Sequence, residues 1–200
     1  MNAKRVFDLL LAACGLALLL LPGLALALAI KLDTAGPVFF RQLRVGRHGR
    51  AFRIHKFRTM RQGAEGEGPG LTIGADPRIT RVGAWLRRSK LDELPQLIDG
   101  LVGDMSLVGP RPELPRYVAL YPAGLREQVL SVRPGITDPA SLRHVDESQL
   151  LARAADPERE YVEVILPAKL REAADYARHA TLASDLRILW RSAAMLLGRL

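Results

Sequence analysis

The chain opens on an apolar run: from Leu9 to Ile30 no residue is charged, with Lys4 and Arg5 before the run and Lys31 directly after it. At about 1.5 Å per helical residue, the run is roughly as long as the hydrocarbon core of a bilayer is thick. A cleaved signal peptide fits poorly, because the run outlasts a signal core and Ile30-Lys31-Leu32-Asp33 offers no small-residue cleavage site. Pro22-Gly23 lies inside it, and a proline there removes a backbone donor and crowds the carbonyl of Leu18, so a break is expected. Both flanks are basic, with Arg41, Arg44, Arg47, Arg50 and Arg53 beyond Lys31, and basic flanks favour the cytoplasmic side. Two arrangements satisfy this pattern: a helix-break-helix hairpin that returns to the side it entered, or a single kinked span.

Beyond Gly36-Pro37 the pattern changes. Residues 38–45 and 51–57 are β-prone, and Gly46-Arg47-His48-Gly49 between them has turn chemistry, which predicts a β-hairpin. Residues 61–75 hold Gly63, Gly66, Gly68, Gly70, Gly74 and Pro69, and read as a mobile loop. Helical patterns follow at 81–88, 93–101, 114–121, 123–130, 147–155, 158–176 with Pro167 interrupting, and 182–197. In the last of these Leu182, Leu186, Leu189, Trp190, Ala193 and Leu197 share a face while Arg187 and Arg191 project elsewhere. That face suits either a membrane interface or a protein core.

With 200 residues, 29 Lys plus Arg and 21 Asp plus Glu, the chain is about one domain with a net charge of +8, which calls for an anionic partner: nucleic acid, anionic lipid or a phosphorylated small molecule. One cysteine, Cys14, excludes a disulfide scaffold. His48, His55, His144 and His179 have no metal-ligand spacing. No zinc-finger spacing, Gly-x-Ser-x-Gly elbow or Gly-Lys-Ser/Thr phosphate loop is present, and nucleic acid is not expected as a partner.

Ser89-Lys90-Leu91-Asp92-Glu93-Leu94-Pro95 places adjacent carboxylates before an apolar helix. Either Ser89 or Asp92 could cap that helix, and Pro95 favours Asp92, since the third helical position lacks an intrahelical N–H partner anyway. A carboxylate at a helix N-terminus stays ionised and suits metal binding or nucleophilic attack, although most Asp-Glu pairs in this setting only cap. Here guanidinium groups surround the pair in sequence. Arg87 and Arg88 precede it, Arg111 is held between Pro110 and Pro112, Arg133 precedes Pro134-Gly135, and Lys56-Phe57-Arg58 closes the hairpin.

These residues resemble the bacterial sugar transferase family, the monotopic phosphoglycosyl transferases. The likeness runs through Lys4-Arg5-Val6-Phe7-Asp8, Gly36–Gln42, Lys56-Phe57-Arg58-Thr59-Met60, Asp76–Thr80, Leu91–Leu97, Gly103–Pro112 and Arg133–Thr137, and is most specific from Asp92 to Pro112. It implies a mainly helical α+β fold, with residues 1–34 as a re-entrant membrane hairpin broken at Pro22. Residues 35–200 would form a membrane-associated catalytic domain on the cytoplasmic face of the bacterial inner membrane, with amphipathic interfacial helices around the site. The implied reaction moves a sugar 1-phosphate from a UDP-sugar to polyprenyl (undecaprenyl) phosphate with Mg²⁺, through a covalent aspartyl intermediate, releasing UMP. Asp92 would be the nucleophile and a metal ligand, and Glu93 its dyad partner. Lys56, Arg58, Arg78, Arg87, Arg88, Arg111 and Arg133 would serve the phosphates. Asp185 matches a family acid without an assigned role, and the length resembles the minimal members. Self-association as a homo-oligomer is left open. The chain departs from the family pattern at Leu21 before Pro22, at Asp99 where Asn is common, and over Thr137–Ser141. The competing class is a non-catalytic basic protein bound to the membrane surface.

Overall fold

The computed structural model describes residues 3–64, 71–74, 76–143 and 147–198. The apolar run folds as two helices, α1 (Ala3–Leu18) and α2 (Leu20–Asp33), bent by 61°. The break lies one turn before Pro22, whose missing N–H leaves the carbonyl of Leu18 without its helical partner. No single helix among the described residues is long and apolar enough to cross a membrane, and only this bent pair has the length and composition together. Around the bend Leu18, Leu20, Leu21 and Leu24 are exposed, whereas Ala12 and Ile30, nearer the two ends, are buried.

Both ends of the pair are tied to one body. At the start of α1, Arg5 donates to the carbonyls of Gly100 (2.6 Å) and Leu101 (2.9 Å), where the negative end of another helix favours a cation. Buried Asp8 accepts from Ser106 Oγ (2.8 Å) and Leu107 N (3.3 Å). Lys4 pairs with buried Asp185 at 2.5 Å, and Tyr176 donates to the same carboxylate at 2.7 Å. Asp185 therefore joins the first and last helices of the chain. At the end of α2, Arg58 wraps the exposed carbonyls: Nη1 donates to Thr34 Oγ1 (2.7 Å) and Ala35 O (2.9 Å), Nη2 to Thr34 O (2.8 Å), and Nε to Pro37 O (2.6 Å). Asp33 accepts from Val82 N at 3.0 Å, at the start of the next helix.

The expected hairpin forms from β1 (Phe39–Val45) and β2 (Ala51–Phe57), paired antiparallel from Phe39 opposite Phe57 to Val45 opposite Ala51. Beyond it, Met60 bridges Ile79 across the base of the 61–75 loop, and Gly74 N in that loop donates to Ser148 O at 3.3 Å; residues 65–70 and 75 lie outside the described set. Helix α3 (Arg81–Arg88) is capped by Thr80, whose Oγ1 accepts from Gly83 N at 3.0 Å. A Cβ on Gly83 would stand 2.1 Å from Thr59 O, so glycine lets α3 press onto the end of β2. Ile30, Phe57 and Leu86 close that contact as a small apolar cluster.

After α4 (Gln96–Val102) comes a feature absent from the sequence expectations. Strands β3 (Ser106–Val108) and β4 (Gly135–Thr137) pair in parallel across α5 (Pro115–Val118) and α6 (Ala123–Leu130). Three residues are too few to register as alternation, so neither strand was readable from the pattern. A Cβ on Gly135 would come within 2.0 Å of Gly109 N, and this close crossing sets the Pro110-Arg111-Pro112 segment.

The remaining helices are α7 (Pro139–Arg143), α8 (Glu147–Arg153), α9 (Pro157–Glu160), α10 (Leu166–His179) and α11 (Leu182–Leu197). A widened turn at Tyr161–Ile165, with Leu166 N bonded back to Tyr161 O, joins α9 to α10 directly before Pro167, whose ring cannot donate to the preceding turn. The expected helix at 158–176 is thus interrupted upstream of Pro167. The main core unites Tyr117 of α5, Tyr121 just beyond it, Val129 of α6, Leu151 of α8, Tyr161 of the widened turn and Leu170 of α10. Helix α11 docks through Ile188, Leu189 and buried Asp185, leaving Leu182, Leu186 and Trp190 exposed. The fold is mainly helical α+β.

Arg58 is only 5% exposed and spends its donors on main-chain and hydroxyl oxygens at the end of α2. We expect Arg58→Lys to cost about 2 kcal/mol, or about 4–8 °C in melting temperature in detergent, because an ammonium cannot span those acceptors. A variant that melts like wild type would show that Arg58 does not hold this end of α2.

Candidate active site

Helix α3 ends at Ser89, whose Oγ donates to the carbonyls of Trp85 (2.9 Å) and Leu86 (3.2 Å). That use closes a C-terminus, so Ser89 is no N-cap. Lys90 then takes a left-handed conformation (φ 58°), unusual for a long side chain, and reverses the chain into a tight turn at Leu91–Glu93. The expectation that Asp92 caps the following helix is not met. Helix α4 begins at Gln96 after Pro95, no side chain caps it, and Asp92 sits one turn too early to reach its N–H groups. The left-handed Lys90 inserts this extra turn, and the consequence is chemical: the Asp92 carboxylate is released from capping.

Asp92 is 7% exposed, and among the described residues its carboxylate has no hydrogen bond or ion pair. Its neighbour is the opposite case. Glu93 Oε1 accepts from Lys56 Nζ at 2.7 Å, and both carboxylate oxygens are gripped by the two Nη groups of Arg111, with Nη1 to Oε2 at 3.2 Å. Arg44 donates to Pro112 O at 3.0 Å, which fixes the backbone beside Arg111. Arg87 reaches back from α3 to Thr59 Oγ1 (2.8 Å) and Thr72 Oγ1 (2.9 Å).

Burial pushes the Asp92 carboxyl up from its ordinary value; Lys56, Arg87 and Lys90 oppose the rise, while the charge of Glu93 adds to it. Burial would also raise Glu93, but Arg111 and Lys56 overcome it and hold that carboxyl well below the usual range. Burial lowers Lys56, and Glu93 offsets part of the drop. The Glu93 charge drives Arg111 upward, so its cation is secure. One carboxylate is therefore saturated by cations and the other is left accessible to a ligand. Behind Arg111 lies a cavity of about 20 Å³, lined by Glu113, Asp138, Lys169 and Tyr176, enough for about one water. Asp138 in its wall accepts from Ser141 N (2.5 Å) and Ser141 Oγ (3.0 Å).

Of the residues singled out in the sequence, Asp92, Glu93, Lys56, Arg87 and Arg111 come together. Arg78 stands at the margin, held by Asp76 (2.6 Å) near Arg87. Three others do not join them: Arg88 is exposed on α3, Arg58 clamps α2, and Arg133 donates to Gly103 O at 2.9 Å on the far side of α4. Lys90, Thr59 and Asp138 were not anticipated. A positive φ at lysine leaves no trace in sequence, whereas Thr59 lay within a motif already quoted.

The sequence pattern of the bacterial sugar transferase family matches residues 1–199, and the chain belongs to that family. It is 39% identical over 198 residues to a UDP-glucose:undecaprenyl-phosphate glucose-1-phosphate transferase of Caulobacter vibrioides, covering 97% of this chain and 69% of the relative. It is 46% identical over 118 residues to a putative undecaprenyl-phosphate N-acetylgalactosaminyl 1-phosphate transferase of Bacillus subtilis, covering 59% and 66%. With a UDP-N-acetylgalactosamine-undecaprenyl-phosphate N-acetylgalactosaminephosphotransferase of Aeromonas hydrophila it shares 43% over 143 residues, covering 70% and 34%. The chain thus spans between about a third and about two thirds of the length of these curated relatives.

Because the Glu93 carboxyl is depressed, its contribution to stability is complete above the ordinary glutamate value and is lost as pH falls through the depressed one. Glu93→Gln should cost about 3 kcal/mol at pH 7 by stranding Lys56 and Arg111, with the deficit shrinking in acid. Unfolding of both proteins across pH in the same detergent checks this, and a deficit independent of pH would contradict it.

Proposed function

We propose that this chain is a phosphoglycosyl transferase that moves a sugar 1-phosphate from a UDP-sugar to a polyprenyl phosphate such as undecaprenyl phosphate. One observation carries the reading: a buried carboxylate, Asp92, without a partner among the described residues, beside a second carboxylate whose charge is spent on Lys56 and Arg111. The names of the relatives supply the substrate class.

The reaction follows from that arrangement. An Asp92 oxygen attacks the phosphorus that carries the sugar, the bond from that phosphorus to the bridging oxygen breaks, and UMP leaves with the electron pair. The polyprenyl phosphate oxygen then attacks the same phosphorus and restores the Asp92 carboxylate. Glu93 moves no proton in this scheme; it holds Lys56 and the fork of Arg111 where the phosphate oxygens pass, and the charge of Arg87 also acts on Asp92. Among the described residues no group of three His, Cys, Asp or Glu side chains is placed to hold a metal. Mg²⁺ commonly binds through one or two carboxylates plus substrate phosphates, and the unpartnered oxygens of Asp92 fit that role. When bound, Mg²⁺ would neutralise diphosphate charge.

The second substrate lives in a bilayer, and the fold offers a matching anchor. Both ends of the α1–α2 pair rest on the same body, both flanks are basic, and the leucines at the bend are exposed. We therefore read residues 3–33 as a re-entrant segment with both flanks on the cytoplasmic face of the bacterial inner membrane, and Leu182, Leu186 and Trp190 of α11 as its interfacial companion.

The test is UMP release from a panel of UDP-sugars with polyprenyl phosphate and Mg²⁺ in nanodiscs. We expect turnover with at least one sugar and its loss, by about a thousandfold or more, in Asp92→Asn. The raised Asp92 carboxyl favours the fold below the ordinary aspartate value, and that gain disappears as pH rises through the raised one. At pH 7 the amide should therefore melt no lower than wild type. Near-normal turnover by Asp92→Asn would remove Asp92 from the chemistry.

A further inference from the structure

Among the described residues strand β2 has only β1 beside it, so the N–H groups on its other edge need acceptors from elsewhere. At His55 the acceptor is a side chain from α4. Asp99 Oδ2 accepts from His55 N at 2.8 Å, and Asp99 Oδ1 meets His55 Nδ1 at 2.6 Å. Both oxygens of one buried carboxylate are committed to a single residue, and Phe39 closes the other side of the imidazole edge-on, with ring centroids 6.4 Å apart. Asp99 lies on the helix that follows Asp92 and Glu93, and His55 directly precedes Lys56, the residue bonded to Glu93. Two consecutive residues of β2 are therefore pinned to two points of the segment 93–99.

We infer that His55 and Asp99 form a positioning pair that sets Lys56, and through Lys56 the Glu93–Arg111 unit, at the register the Asp92 centre needs. This rests on the transferase reading for its effect on rate, but not for its geometry. Neither residue touches the reacting atoms. A carboxylate offers only acceptors, so the neutral imidazole facing Asp99 must carry its proton on Nδ1. An amide at position 99 keeps the grip in a different form. Its oxygen accepts from His55 N, its NH₂ donates to Nδ1, and the ring proton moves to Nε2. Alanine keeps neither bond.

The experiment combines a ring readout with a rate cycle. Nitrogen NMR of the neutral His55 ring should show the Nδ1–H tautomer in wild type and the Nε2–H tautomer in Asp99→Asn; an Nε2–H ring in wild type would overturn the pairing. In UMP release, Asp99→Ala should lose about tenfold or more in kcat with KM for the UDP-sugar within about twofold, as expected for misplacement of a catalytic group. Asp99→Asn should stay within about threefold of wild type. Combining Asp99→Ala with Lys56→Ala should be no slower than Lys56→Ala alone, because the pair acts through Lys56. Asp99→Ala within twofold of wild type, or losses that multiply in the double variant, would overturn the inference. A wild type silent toward every UDP-sugar would instead contradict the transferase reading, with the tautomer readout still deciding the pairing.

Discussion

The structure depends on how the end of β2 distributes its side chains. Across five consecutive residues each goes to a different neighbour. His55 meets α4, Lys56 the Asp92 turn, Phe57 the cluster with Ile30 and Leu86, Arg58 the end of α2, and Thr59 the guanidinium of Arg87. Four of the five contacts are hydrogen bonds to or from a charged group in partly or fully buried settings, where losing one partner is far costlier than at a surface. The bent apolar helix pair, the hairpin and the Asp92-Glu93 turn are thereby held in one frame by a segment shorter than two helical turns.

That frame separates two kinds of charge. Arg58 serves carbonyls, Glu93 is bound by two cations, and Asp185 and Asp8 tie α1 down, so each is satisfied within the protein. Asp92 alone of the Asp92-Glu93 pair is left open to a ligand. Pairing an occupied carboxylate with an unoccupied one keeps Lys56 and Arg111 ordered without a ligand, which would reduce reorganisation in the proposed reaction. The α1–α2 pair follows the same logic: among the described residues its polar ties sit at its two ends.

Much of this was legible in the sequence where a physical rule acts locally. The hairpin followed from alternation and Gly46–Gly49, α3 and α6 matched their helical periods, and the bend in the apolar run followed from the ring of Pro22. Asp92 and Glu93 stood out because guanidinium groups cluster in sequence around an adjacent carboxylate pair, and Arg111 because two prolines flank it. The parallel β3–β4 pair was illegible because it spans three residues per strand and a long sequence separation. The capping frame at Asp92 failed because it turned on the backbone angle of Lys90, which side-chain chemistry does not encode. Arg58 was grouped with the phosphate residues as a cation at the end of the hairpin and Arg133 for its rigid place before Pro134-Gly135; only the fold reveals that each donates to main-chain oxygens.

The central claim is that the open carboxylate of Asp92 becomes covalently loaded. The direct measurement is peptide mass mapping of the protein after incubation with a UDP-sugar and Mg²⁺, quenched in the absence of polyprenyl phosphate. A sugar phosphate adduct on the peptide containing Asp92, discharged when polyprenyl phosphate is added, is the result predicted. Turnover in the complete mixture with no adduct at Asp92, or with the adduct on another residue, would contradict it.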